Sequence, residues 1–321
     1  MAQMFAYIAH KCGEIDDTAA ELAVAAKKID ASAEVTAIVV GDGAELDTVC
    51  QAAAKLYPQV WKFAHADLAY PNAEMVRKLL VNVLAADAIV LFPHDTFAMD
   101  LAPGLAVKLD SAYVPDIVGV DGMDGGAIKL VRQEYAGMAH AHIACDAANG
   151  ALLTMRPGSF QPEAGADAGG TVTDKSGDIG DVSAKRRFLE IKVAEVGDVD
   201  ITKADVLVSV GRGIEEQDNL EVAEELAKAM GAVVSCSRPI VDAKWLEKSR
   251  QVGTSGVTVK PKVYLAMGIS GSFQHMGGIK GSPFIVAVNK NPKAPIFQMA
   301  DVGIVEDILE FMPALTEKLE G

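Results

Sequence analysis

Hydrogen-bonding and charged side chains recur in this sequence at one kind of place, immediately after short apolar runs. Ala204 to Val210 ends at Gly211-Arg212-Gly213, and Ala232 to Ser235 at Ser237-Arg238-Pro239. Val263 to Ile269 ends at Ser270-Gly271, with a short polar helix carrying Gln274 and His275 expected next. Phe284 to Val288 ends at Asn289, and Ile296 to Met299 leads to Asp301. Apolar runs of this length read as buried strands. In an open parallel sheet the carboxyl ends of the strands line the ligand crevice. Such a rim would hold two arginines, glycines that admit a close ligand, and several hydroxyl and amide groups. It suits a phosphate-bearing nucleotide. Gly211 to Glu216 lacks the third glycine of G-x-G-x-x-G, so the glycine pair alone carries little weight. Helices starting after Gly213 and Gly271 would offer backbone N–H groups to a pyrophosphate.

Other candidates have two readings each. The loop Gln251 to Gly256 is either a surface turn or a wall of backbone and hydroxyl groups against a planar ligand. His275 is either a capping or core histidine, or a ligand contact. His94-Asp95 is a possible acid/base pair, but Asp95 or Thr96 capping the next helix is the favoured reading. His140 and His142 alternate on one face of a strand. They lack an apparent third metal ligand, so a structural or partner-facing role is favoured.

These groups need elements to hold them. Strands are expected at Met4 to Ala9, Val35 to Val40, Val60 to Phe63 and Ala88 to Phe92. Helices are expected between them, at about Asp17 to Lys28, Leu46 to Leu56 and Asn72 to Leu84, with another from Thr96. That alternation implies parallel crossover units and a doubly wound sheet. Val114 to Val120, Ala127 to Gln133, Ala139 to Cys145 and Ala151 to Met155 then read as an antiparallel section, with turns at Asp124-Gly125 and Asn149-Gly150. Pro157 to Ser183 reads as a loop or linker. Phe188 to Val196 reads as a strand returning to the first domain. The final helix spans about Val305 to Leu319, interrupted or kinked at Pro313. The expected fold is α/β with two domains. Residues 1–196 form a doubly wound domain with an antiparallel section, and residues 197–321 form a parallel-sheet domain.

A net charge of -15 over 321 residues argues against nucleic-acid binding, which needs cations to meet phosphates. No run reaches the ~20 apolar residues of a membrane span, so no direct membrane insertion is expected. Cys12, Cys50, Cys145 and Cys236 are far apart, without metal or iron–sulfur spacing. Reduced thiols and a cytoplasmic location are the expectation.

The stretch from Gly268 to Leu315, with GRG at Gly211, SRP at Ser237, DLAP at Asp100 and RPGSF at Arg156, resembles the electron transfer flavoprotein alpha-subunit family. The resemblance implies FAD in the C-terminal domain and a heterodimer with a beta subunit. It implies an electron carrier rather than a stand-alone enzyme. Electrons would pass from an acyl-CoA-type dehydrogenase, or from NADH, to a quinone reductase, ferredoxin or dedicated reductase. It places Arg212, Ser237 and Arg238 at the FAD, with Arg238 a cation near the flavin ring. Arg212 is alternatively a structural ion-pair residue. Val252, Gly253, Thr254 and Ser255 correspond to the family's VGQT loop, with the Ser255 hydroxyl near flavin N5. Ser270, Gly271, Ser272, Phe273, Gln274 and His275 match SGxxQH. His275 would face the flavin C2 carbonyl and, if protonated, raise the flavin potential. Asn289, Asp307 and Ile308 would lie on the adenosine side. The loop reads VGTSG rather than VGQTG, which resembles the branch linked to nitrogen fixation, carnitine metabolism and sometimes electron bifurcation. The alternatives are a stand-alone flavin- or nicotinamide-dependent oxidoreductase and a non-redox nucleotide-binding module.

Overall fold

The computed structural model describes residues 3–135, 139–162, 168–190, 199–281 and 283–321. They form two compact units, Met1–Glu190 and Ile191–Gly321.

The first unit opens with β1 (Met4–Tyr7), a small hairpin of β2 (His10–Lys11) and β3 (Glu14–Ile15), and α1 (Thr18–Ile29). The alternation continues through β4 (Val35–Gly41), α2 (Ala44–Ala54), β5 (Gln59–Ala64), α3 (Ala73–Val83), β6 (Ile89–Pro93) and α4 (Thr96–Leu109). The later strands are β7 (Ala112–Asp124), β8 (Ala127–Glu134), β9 (Ala139–Asp146), β10 (Ala151–Met155) and β11 (Thr171–Asp174). Among the described residues, nine strands form one sheet in the order β11-β5-β4-β1-β6-β10-β7-β8-β9. α1 and α2 pack on one face and α3 and α4 on the other. A sheet covered on both faces explains why every residue of β1, β4 and β6 is buried. Asn72 caps α3 through the Glu74 N–H, and Asp95 caps α4 through the Ala98 N–H at 2.7 Å. Asp95 is thus a helix cap, and His94 turns instead to the Thr154 hydroxyl at 2.8 Å. His142 faces Asp121 across 3.4 Å, both exposed.

Three expectations for this unit are corrected. β10 is not part of the antiparallel section. It lies in the middle of the sheet, parallel to both β6 and β7. Its five residues are all buried, as a strand covered on both faces demands. Asn149-Gly150 therefore closes no hairpin, whereas Asp124 pairs with Ala127 across a real one. Second, Pro157 to Ser183 is not simply a loop. β11 adds an edge strand parallel to β5, and Phe160, Ile179 and Val182 are buried. With Val172 as its only apolar residue, β11 leaves no periodic signal. The RPGSF motif is an anchor here. Arg156 holds the Asp116 carboxylate bidentately, and the Glu21 carboxylate accepts the Gly158 and Phe160 N–H groups. Third, Phe188 to Glu190 is not a strand, and Phe188 stacks on Tyr70 at 4.1 Å. The rest of that expected strand lies outside the described residues.

The second unit contains β12 (Val206–Val210), α5 (Leu220–Met230), β13 (Val233–Cys236), α6 (Arg238–Asp242) and β14 (Val263–Met267). α7 (Phe273–Met276), β15 (Phe284–Val288), β16 (Val302–Ile304) and α8 (Ile308–Glu320) complete it. Its sheet order is β13-β12-β14-β15-β16, with every pairing parallel. α5 and α8 cover one face, and the segments around Val252, Val259 and Ile296 cover the other. α5 ends on Gly231 in the left-handed conformation, and α8 runs through Pro313 from its Asp307 cap.

Two corrections apply. The run at Ile296 is a 3-10 turn, Pro295–Gln298, because the proline starts a helical turn rather than a strand. The fifth strand is the three-residue β16. Asp301 consequently precedes that strand, where its carboxylate accepts the Ile285 N–H at 2.7 Å, at the amino edge of the sheet. It is not part of the crevice. The helix after Gly213 is α5, whose start agrees with the expected one at about Asn219. A 3-10 turn, Arg212–Ile214, comes first, and α5 starts at Leu220.

Candidate functional site

β12 lies between β13 and β14, so the chain leaves β12 and β14 on opposite sides. A gap opens between their carboxyl ends, the topological switch point where open α/β sheets bind ligands. Two glycine loops meet there. The Gly211 N–H donates to the Met267 carbonyl at 2.8 Å, and the Gly213 N–H to the Gly268 carbonyl at 3.2 Å. A Cβ on Gly213 would sit 2.7 Å from the Cα of Gly268, which itself has φ +66°. Only glycine permits that approach. Beside it is an open depression of about 280 Å³, lined by Arg212, Gly213, Gly268, Asn289, Lys290 and Ile308. Arg212 is exposed. Lys290 Nζ is 2.9 Å from both Glu215 and Asp307. Lys290 and the Leu309 N–H hold the Asp307 carboxyl below the usual carboxylate range. The Asn289 amide donates to the Ile269 carbonyl at 2.9 Å, fixing the turn after β15. Asn289 and Ile308 thus line the depression directly, and Asp307 supports it through Lys290.

Along the same edge, the end of β13 meets the loop 251–257. The Val252 N–H donates to the Cys236 carbonyl at 2.9 Å, and the Thr254 N–H to the Gln274 carbonyl of α7 at 2.8 Å. A Cβ on Gly278 would lie 2.3 Å from the Gly253 nitrogen, so loop and helix turn are in backbone contact. Gln251, Val252 and Gly253 are buried, while Thr254 and Ser255 are exposed. The segment is half core and half wall, rather than a plain surface turn. Gln251 Nε2 donates to Ser255 Oγ at 3.0 Å and orients that hydroxyl. Ser237 is buried, and Arg238 is exposed with Asp242 3.3 Å away, one turn along α6. Ser270, Ser272, Phe273 and Gln274 are exposed, whereas Gly271 and His275 are buried.

His275 is 5% exposed. Its Nε2 lies 2.8 Å from the Tyr264 hydroxyl, and its Nδ1 is buried without a hydrogen-bond partner. Burial pushes its pKa down to about 4; the Val252 backbone acts in the opposite direction and less strongly. The imidazole is therefore neutral near pH 7. Protonation, the condition under which His275 would raise the flavin potential, is not met near pH 7, because desolvation outweighs the Val252 backbone.

The residues present fit a flavin dinucleotide. Backbone-lined glycine turns, two cations and an apolar wall suit a nucleotide. An orphaned buried imidazole nitrogen marks where a polar partner would complete the second cluster. Comparison with known proteins agrees. Residues 4–179 match the family profile described as the electron transfer flavoprotein domain, and residues 200–280 the electron transfer flavoprotein FAD-binding domain. The chain belongs to the electron transfer flavoprotein alpha-subunit family. It is 37% identical to the electron transfer flavoprotein subunit alpha of Thermoanaerobacterium thermosaccharolyticum over 72% of this chain and 71% of that one. It is 32% identical to the mitochondrial alpha subunit of Arabidopsis thaliana over 97% and 87% of the two chains. Protein FixB of Escherichia coli is 39% identical over 73% and 74%. FAD is the cofactor of this flavoprotein, and FAD-mediated electron transfer is its activity. When bound, FAD supplies a carrier that takes up and releases electrons. Among the described residues, no helix is long and apolar enough to cross a membrane.

The structure gathers the candidate residues into two clusters on one sheet edge. Arg212, Asn289, Asp307 and Ile308 belong to the first. Ser237, Arg238, the residues 252–255 and the segment Ser270 to His275 belong to the second. Sequence reasoning missed Lys290 and Tyr264. Lys290 directly follows Asn289, so the strand-end rule reaches it. Tyr264 had a weaker signal, a hydroxyl inside an apolar strand that must find a partner.

Proposed function

We propose that this flavoprotein is the FAD-carrying half of a heterodimer with a beta subunit, relaying electrons without bond chemistry of its own. Its donor would be an acyl-CoA-type dehydrogenase or NADH, and its acceptor a quinone reductase, ferredoxin or dedicated reductase. In this reading Arg212, Lys290 and the glycine turns hold the nucleotide part. Ser237, Arg238, Val252, Gly253, Thr254, Ser255 and the segment Ser270 to His275 surround the ring. Arg238 supplies positive charge, Ser255 a hydroxyl, and His275 a neutral polar contact. Residues 1–196 would pair with the beta subunit and residues 197–321 would carry FAD. The gap between the two matched profiles, 179 to 200, supports a boundary in that region. The single observation that carries the reading is the pair of clusters at the ends of five parallel strands, with glycine backbones at van der Waals limits.

The test is a visible spectrum and flavin quantitation of the chain co-purified with its beta-like neighbour. A flavin spectrum with at least one FAD per alpha chain is expected. Two FAD per heterodimer would extend the reading to bifurcation. A folded, colourless complex that takes up no FAD would overturn it. NADH oxidation by the isolated chain would favour a stand-alone oxidoreductase.

A further inference from the structure

We propose that Glu215 is a positioning residue that sets which nucleotide the depression accepts. With Asp307 it brackets Lys290 and outweighs that cation, so this end takes an uncharged adenosine and rejects one carrying an additional phosphate. This rests on the reading above that the nucleotide part of FAD occupies the depression.

Glu215 holds a backbone conformation that a glutamate rarely adopts, φ +70° with ψ −56°. Across it the Glu216 N–H donates to the Ile214 carbonyl at 2.8 Å. Glu215 is therefore the centre of a three-residue turn of the rare, strained form. Glycine takes such a φ without steric cost, and a strained residue in its place points to a task for the side chain. Burial is not that task, because Glu215 is exposed. Among the described residues its carboxylate meets Lys290 Nζ, at 2.9 Å, and Lys290 lines the depression. The turn aims a carboxylate at the ligand crevice.

Charge around the depression is unevenly placed as a result. The Lys290 ammonium has three hydrogens, and the carboxylates of Glu215 and Asp307, both 2.9 Å away, take two of them. Asp307 is itself fixed at the start of α8 by the Leu309 N–H at 3.0 Å. Asp307 alone would only neutralise Lys290. Glu215 is the second carboxylate, and it turns this end net negative. The Arg212 guanidinium, which also lines the depression, has no ion-pair partner among the described residues. A diphosphate thus finds its counter-charge at Arg212 and the glycine turns. The remaining Lys290 hydrogen suits a neutral group such as a sugar hydroxyl, which accepts from the ammonium and donates to a carboxylate. A further phosphate at that place would lie against two carboxylates. Repulsion of this kind is how a site separates ligands that are otherwise alike.

The test uses the whole flavoprotein with its partner and measures displacement of FAD, read as recovered flavin fluorescence. The competitors are ADP and ADP carrying one more phosphate on its ribose. The unmodified protein is expected to bind ADP in preference. Glu215→Gln leaves the backbone as it is and removes the charge, and is expected to narrow that preference roughly fivefold, the size an exposed charge pair carries. Glu215→Gly removes the charge and the strain together and should narrow it equally. Arg212→Leu is expected to weaken both competitors alike. The absence of a preference in the unmodified protein overturns the proposal. So does a preference unchanged in both Glu215 variants, or one that follows their melting temperatures instead of their charge. ADP binding that ignores Arg212→Leu is a different failure, and overturns the placement of the nucleotide in the depression.

Discussion

Burial governs His275, and its sign can be followed through to stability. The folded-state pKa is about 4 and the ordinary value 6.5. Between those values the unfolded chain binds a proton that the folded chain refuses, so stability rises with pH across the window. Read downward, stability is complete above pH 6.5 and is lost as the pH falls toward 4. At about 1.4 kcal/mol per unit, the loss is on the order of 3 kcal/mol. Urea midpoints at pH 7, 5.5 and 4.5 should therefore fall more steeply for the parent protein than for His275→Gln. Parallel slopes would mean that His275 is solvated. Asp116 shows a contrasting balance at the residue scale. Burial raises its carboxyl pKa, yet the bidentate Arg156 guanidinium more than offsets this, and the carboxyl ends below its usual range.

At the scale of elements, the wall proposed to face the flavin depends on the contact between the loop 251–257 and the turn after α7. Gly278→Ala would drive a methyl into the Gly253 nitrogen, and backbone cannot move aside as a flexible side chain can. An expected cost of roughly 1–3 kcal/mol follows from overpacking of this kind. The thermal transition should fall and FAD should be retained substoichiometrically. Gly177 is the control, since a methyl there meets open space at an ordinary φ. Equal melting points and equal flavin content for Gly278→Ala and Gly177→Ala would show that the contact is not needed. The same scale explains the shortness of β16. Its register with β15 leaves only Val302, Gly303 and Ile304 paired before the chain turns to the Asp307 cap.

At the scale of the whole molecule, a net charge of -15 gives the protein a long-range field at low salt. A redox partner with a basic docking surface would be steered by it. Steering is screened beyond about 10 Å at 0.1 M ionic strength. The second-order rate of electron exchange with such a partner should fall by roughly tenfold between about 0.02 M and about 0.5 M salt. Stopped-flow measurement of flavin reduction checks this. A flat salt profile would assign recognition to short-range contacts alone.

Much of this was legible in the chain because it is local. Covered parallel strands such as Val35–Gly41 and Val263–Met267 announce themselves as apolar runs, since both of their faces are buried. Strand-end residues such as Arg212, Ser237 and Asn289 follow from that rule without further help. What stayed hidden is set by neighbours distant in sequence. β10 inserts between β6 and β7, and β11 pairs with β5 more than a hundred positions earlier. Nothing in either segment names its neighbour. The run at Ile296 misled because apolar content alone does not distinguish a buried 3-10 turn from a short strand. Composition and motif by themselves determined the family, the two α/β architectures and the residues at the crevice rim. Tertiary structure alone decided which of those residues line the depression and which support it. It also decided the charge of His275, because protonation depends on the water excluded by Tyr264, Val252 and the sheet beneath, and no spacing in a sequence encodes that.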